Sequence, residues 1–210
     1  MLEFYLAGGP VMHLLALCSV LALAFIIERL IVLHRIPSPA AAEAHLEKLE
    51  EALKNGGKKE AAELCKNGKG VLNYIFAAIL KRHDVLEMEE REVADMRDEL
   101  AVTAFEAGRS FLGRHLQILA TIGTIAPLLG LLGTIAGMIN AFSAIARAGT
   151  GDPQLVAGGI SQALNTTAFG LSIAIPTVVC YRYLATRAEN VLARLEIYGY
   201  AFINTLLRSS

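Results

Sequence analysis

The sequence predicts an all-α membrane protein with three transmembrane helices, two of them extended into a cytoplasmic helical region. Three observations predict it. Of the 210 residues, 54% are apolar, and the mean hydropathy of +0.48 is high for a soluble domain. Asp, Glu, Lys and Arg are absent from three blocks: Phe4–Ile27 (24 residues), Leu116–Ala146 (31) and Pro153–Tyr181 (29). Each is long enough for the roughly 20 apolar residues that a helix needs to cross about 30 Å of hydrocarbon. The blocks also lack the strict alternation of barrel strands, which leaves helices as the structure that satisfies its own backbone in oil.

In chain order, residues 1–10 form a short outward-facing N-terminus and 11–34 the first span. The first block is not read as a cleaved signal peptide, although Ala40–Ala42 resembles a cleavage site. Its leading segment has Glu3 and no Lys or Arg, and the apolar run exceeds the roughly 7–15 residues of a signal core. Orientation follows the basic residues. Residues 1–28 have none, whereas Arg29 and Arg35 follow the first span, Arg114 precedes the second, and Arg182, Arg187 and Arg194 follow the third. The link between spans two and three has Arg147 beside Asp152. The region 35–115 and the tail are therefore expected in the cytoplasm, and the N-terminus and the 148–155 link outside.

The prolines of IPSP (36–39) end the first helix. AAAEAHLEKLEEALKN then shows helical periodicity, with Leu46, Leu49 and Leu53 on one stripe, until Asn55-Gly56-Gly57 stops it. KKEAAELCKNGKG gives a second short helix ending at Asn67-Gly68, and VLNYIFAAILKRH a third that is too short to span a membrane. Asp84 and Glu87 resemble an N-cap and its capping-box partner. From there Val93, Met96, Leu100, Ala104, Ala107 and Phe111 recur at helical steps, predicting one long helix over about 84–147. Its early half is acidic: Asp84, Glu87, Glu89, Glu90, Glu92, Asp95, Asp98, Glu99 and Glu106 against Arg91 and Arg97. That is either a solvated face or an acidic mouth, carried by Glu92, Asp95, Asp98, Glu99 and Glu106, that gathers cations when several copies ring together. The second span covers 116–147, the third 156–184, and a cytoplasmic C-terminal helix 185–210.

Other chemistries find no residues here. Net charge is −1, so nothing attracts nucleic acid. Cys18, Cys65 and Cys180 form no CxxC, the histidines are scattered, and KNGKG (66–70) lacks phosphate-loop spacing. His13 is read as interfacial rather than as a ligand. No metal, cofactor or enzymatic site is expected.

The third span raises a question of its own: Ser161, Gln162, Asn165, Thr166, Thr167, Ser172 and Thr177 are polar, and none is ionisable. At helical periodicity most of them share one half of the helix, and Leu164, Leu171, Ile175 and Val178 lie on the opposite side. Thr167 lies off the polar centre, placed to reach a neighbour or its own backbone. The second span carries a ridge of Gly123, Pro127, Gly130, Thr134, Gly137 and Ala141, with Gly133 and Gly137 spaced as GxxxG, which permits close helix approach. Pro127 is expected to kink its helix or loosen one turn, and Gly170 and Pro176 are packing or kink positions in the third span. Two readings fit. Small and polar residues serve only to glue a three-helix bundle, or they line a water-bearing path without fixed charge.

APLLGLLGTIAGMINAF (126–142) and GISQALNTTAFGLSIAIP (159–176), with GGP at 8–10 and ERL at 28–30, resemble the ExbB/TolQ/MotA proton-channel family, ExbB/TolQ branch. Three spans rather than four argue against the MotA branch. The resemblance implies an inner-membrane proton-channel or stator subunit, with its N-terminus periplasmic and its C-terminus cytoplasmic. It implies a homopentamer around a dimer of an ExbD- or TolR-like single-span protein bearing a membrane Asp. Proton-motive force would become mechanical work passed to a TonB- or Tol-type envelope protein. The family's pore positions fall on Thr134 and Thr167, with Asn165 and Thr166 beside them. Members often have Glu where this chain has Gln162, so the titrating carboxylate is expected from the partner. The rival is a passive scaffold of an envelope complex without ion flux.

Overall fold

A computed structural model describes residues 9–89, 91–148 and 153–209, and the elements in them are helices: α1 (Val11–His34), α2 (Pro39–Asn67), α3 (Val71–Met88), α4 (Val93–Gly113), α5 (Leu116–Ala148) and α6 (Pro153–Ser209). No strand occurs among the described residues. Three helices are long and apolar enough to cross a membrane, over Val11–His34, Leu116–Arg147 and Val156–Arg208. The protein is an all-α, multi-pass membrane protein, and α6 runs on well past the apolar part of its span. The expectations placed on residues 1–8, on Glu90 and on 149–152, Asp152 included, lie outside the described residues.

The chain divides into two compact units, Met1–Arg29 with His115–Tyr183, and Leu30–Arg114 with Leu184–Ser210. The second unit is built from four helical segments. The IPSP turn does more than end α1: Ser38 caps α2, its hydroxyl accepting from the Ala41 N–H, and Pro39 takes the first helical turn, where a missing N–H costs nothing. The expected stop at Asn55-Gly56-Gly57 is an interruption at Gly57 (φ 71°, ψ −168°), a backbone conformation that glycine adopts freely, after which the helix resumes. Leu49 and Leu53 are buried, as their stripe requires. Phe76 and Phe202 are fully buried with ring centroids 4.7 Å apart, among Ile75, Ile79, Leu100, Leu195 and Ile203. Buried Asn73 is satisfied by His45 Nε2–H at 2.8 Å and by donating to the Lys69 carbonyl. Burial also pushes the Cys65 thiol up to about 11, so it behaves as a small hydrophobe.

The single helix expected over 84–147 is divided. Residues 84–88 close α3, the chain is extended at Glu92 (ψ 145°) before α4, and it breaks again at Arg114 and His115 before α5. Asp84 and Glu87 therefore sit inside α3 rather than capping a new helix. The apolar stripe explains it: His83 and Leu86 are fully buried, and covering them carries α3 beyond the point where Asp84 could begin another helix. Met96, Leu100, Ala104 and Ala107 form the buried face of α4 as expected, whereas Val93 is exposed.

His83 gives this unit an acid-sensitive core. Burial first, and nearby Lys58 second, hold its imidazole below the ordinary value of 6.5. As pH falls through that value, the unfolded chain takes up the proton before the folded one, so stability declines toward acid. A His83→Gln chain should show a flatter decline. Comparing thermal midpoints in detergent between about pH 7.5 and 5.5 checks this, with at most about 1.4 kcal/mol per pH unit separating the two.

Candidate functional site

The candidate site lies in the first unit, where α5 meets α6. Gly123, Ala126, Gly130, Gly133, Gly137 and Ala141 recur at three- and four-residue steps and are all buried. They pack along α6 in antiparallel order. A Cβ added at Gly123 would meet Val178 at 2.6 Å, at Gly133 Thr166 Oγ1 at 2.5 Å, and at Gly137 the Gly159 carbonyl at 3.0 Å. From the other side, a Cβ at Gly170 would stand 2.6 Å from the Ala126 carbonyl oxygen. Both helices continue through Pro127 and Pro176.

The close approach brings hydroxyls together. Thr134 and Thr167 are hydrogen-bonded through their Oγ1 atoms, one from each helix. Thr134 Oγ1 also lies 3.2 Å from the Ala163 carbonyl and 3.3 Å from that of Gly130, and Thr167 Oγ1 donates to the Gly130 carbonyl at 3.1 Å. A hydroxyl has one proton, so these are alternative acceptors within one small network. Thr166 is fully buried against Gly133 and donates to the Ala163 carbonyl at 2.8 Å. Thr177, also buried, donates to the Ile173 carbonyl.

The polar half of the third span is therefore split in two. Thr166 and Thr167 turn toward α5 and Thr177 is buried, whereas Ser161 and Ser172 are exposed and Asn165 is half-exposed. Gln162 is half-buried and packs against the Gly9 backbone, where an added Cβ would stand 3.5 Å from its amide carbon. Leu164, Leu171, Ile175 and Val178 remain exposed, as do Leu128, Leu131, Leu132, Ile135 and Ile139 of α5. No residue of this helix contact carries an acid or a base, so the pair can orient a charged group by hydrogen bonds but cannot itself exchange a proton.

The acidic residues belong to the second unit. Glu92, Asp95, Asp98 and Glu106 are exposed. Glu99 differs, because Arg82 of α3 pairs with it and its role includes clamping α3 to α4. Sequence reasoning missed a further group in the first unit. Glu28 Oε2 accepts from His115 Nδ1 at 2.6 Å, and Glu28 Oε1 accepts from Arg29 Nη2 at 2.8 Å. A separation of 87 residues gives no local pattern. The available clue was a carboxylate placed at the end of a span.

Comparison with known proteins converges on one family. A family model described as the MotA/TolQ/ExbB proton channel family matches residues 67–197. The chain is 38% identical over 156 residues to "Biopolymer transport protein ExbB" of Pseudomonas putida, covering 70% of this chain and 43% of that protein. It is 31% identical over 185 residues to "Biopolymer transport protein exbB1" of Vibrio cholerae, covering 87% of this chain and 78% of that one. To "Tol-Pal system protein TolQ" of Pseudomonas aeruginosa it is 38% identical over 91 residues, or 43% of this chain and 39% of that protein. The chain thus spans less than half the length of the Pseudomonas putida relative.

Overpacking the ridge should separate α5 from α6. Gly133→Val is expected to lower the stability of the detergent-solubilised chain by about 1–3 kcal/mol. Gly158→Ala, at a helical position where an added Cβ meets nothing within 4 Å, should leave it unchanged or slightly raised. Thermal melts of the two variants beside the native chain measure the contrast.

Proposed function

Because the chain belongs to the MotA/TolQ/ExbB proton channel family, we propose that it is a non-enzymatic stator subunit of a proton-driven motor in the inner membrane. In this reading several copies, five by family resemblance, surround a dimer of an ExbD/TolR-like single-span protein. The N-terminus is periplasmic and the C-terminus cytoplasmic. The assembly converts proton-motive force into mechanical work for a TonB- or Tol-type envelope protein. A membrane potential offers about 2.3 kcal/mol per charge per 100 mV, enough to drive such movement.

The observation that carries the reading is the Thr134–Thr167 hydroxyl pair, held across two closely packed helices whose blocks Leu116–Ala146 and Pro153–Tyr181 contain no Asp, Glu, Lys or Arg. Fixed hydroxyls can hold an ionised carboxylate as it passes, and the acid itself must then come from the partner. Gln162 fits this division, because an amide donates and accepts hydrogen bonds but does not titrate in the physiological range. The partner's acid is neutral when it crosses apolar stretches and charged when it reaches the threonines.

A scaffold reading also has an observation behind it: each threonine at the contact has an acceptor within the chain. Thr134→Val separates the two readings. The variant leaves Thr167 its bond to the Gly130 carbonyl and the Ala163 carbonyl its bond from Thr166, so no buried group loses its last partner. Assembly with the co-purifying single-span protein should be native. Proton flux into proteoliposomes under an imposed potential should fall by about tenfold or more, the scale set when a group that stabilises a passing charge is lost. Native flux with native assembly would leave the scaffold standing.

A further inference from the structure

We propose that Glu28 and His115 are positioning residues that set where the second span begins, and so the register of its glycine ridge on α6. His115 is the described non-glycine residue with a left-handed backbone, φ 65°. Non-glycine residues are uncommon in that conformation, although histidine enters it more readily than most, and two contacts support it there. Both come from α1. The imidazole packs on Phe25, with ring centroids 4.8 Å apart, and its Nδ1–H donates to Glu28 Oε2 at 2.6 Å. Phe25 and Glu28 are one turn apart on α1 and present a single gripping face. Arg29 donates to the other carboxylate oxygen at 2.8 Å and fixes the direction of Glu28.

His115 also opens the α5 hydrogen-bond ladder. Its carbonyl accepts from Ile118 N–H at 3.1 Å and from Leu119 N–H at 3.3 Å. Whatever fixes His115 therefore fixes the first turn of α5, and a helix transmits that setting to every later residue. The ridge tolerates no slip. A shift of one residue rotates the helix by about 100° and would bring Leu132 or Thr134, in place of Gly133, against Thr166. In that arrangement Thr134 no longer meets Thr167. The structural part of this inference stands without the proposed function, and its consequence for proton flux rests on that reading.

Two substitutions at one position test it. His115→Asn tolerates the left-handed backbone and places an amide N–H where the imidazole Nδ1 stands. His115→Gly relaxes the backbone fully and removes the donor. Register is read by oxidation of a cysteine pair, Gly137→Cys with Ala163→Cys, in a chain whose Cys18, Cys65 and Cys180 are replaced. An added Cβ at Gly137 lies 3.1 Å from Ala163 Cβ, close enough for a disulfide after slight adjustment. The cross-link should form in the native and His115→Asn backgrounds and fall by about fivefold or more in His115→Gly and in Glu28→Ala, as expected when a positioned pair is misplaced by about 1 Å. Flux in proteoliposomes should follow the same order. If His115 were only a helix break, glycine would match or exceed histidine. Native cross-linking in His115→Gly, or Asn failing as Gly does, overturns the proposal. A native complex that cross-links but passes no protons overturns the functional reading and leaves the register assignment intact.

Discussion

The near-contact of two backbones, α5 against α6, is the constraint on which the first unit depends. A Cβ at Gly130 would stand 3.0 Å from Thr167 Cα and 3.1 Å from the Thr166 carbonyl oxygen. Lipid tails give no hydrophobic reason for two spans to associate, so dispersion and hydrogen bonding must supply it, and both grow steeply as the axes approach. The glycine ridge makes that approach possible. Turning it inward also decides what faces outward, because the leucines and isoleucines of α5 occupy the remaining faces. The outward apolar face of α5 follows from this row of small residues.

The same contact clarifies how uncharged polar groups live in a membrane span. Thr121, Thr124 and Ser172 donate to the carbonyl four residues back on their own helix, and so does buried Thr177. Such groups are satisfied locally, and their polarity says little about a path. Thr134 and Thr167 differ because, beside the Gly130 carbonyl within Thr134's own helix, they have partners on the other helix. Counting polar residues along a span would overstate the functional surface. Asking where each hydroxyl donates isolates the pair.

The outline of the fold was legible because its signals are long. Charge-free blocks of 24 to 31 residues exceed what a short core helix needs, and each overlaps a helix able to cross a membrane. The ridge was legible in part: its glycines at three- and four-residue steps are buried, but Ala126 and Gly133 complete the row where Pro127 and Thr134 had been placed. The breaks were not. Nothing local distinguishes Glu89 and Glu92 from neighbouring residues, and α3 ends where its buried side chains end, which is a tertiary fact. The break at His115 is accompanied by a bond to a carboxylate 87 residues earlier, which no local pattern signals. The split of the third span's polar half depends on where α5 lies, which periodicity alone does not give. Glu99 looked like its acidic neighbours until Arg82 was found beside it.

One consequence of the acid-free contact between α5 and α6 concerns the chain on its own. A proton needs a chain of titratable groups or water to travel, and two spans pressed together at glycine distance, with hydroxyls already engaged, offer neither. On the proposed reading, this contact by itself gives a lone copy no route for protons. On that reading a cell making an excess of this subunit would keep its ion gradient, and a leak would arise only once the partner's carboxylate is brought alongside.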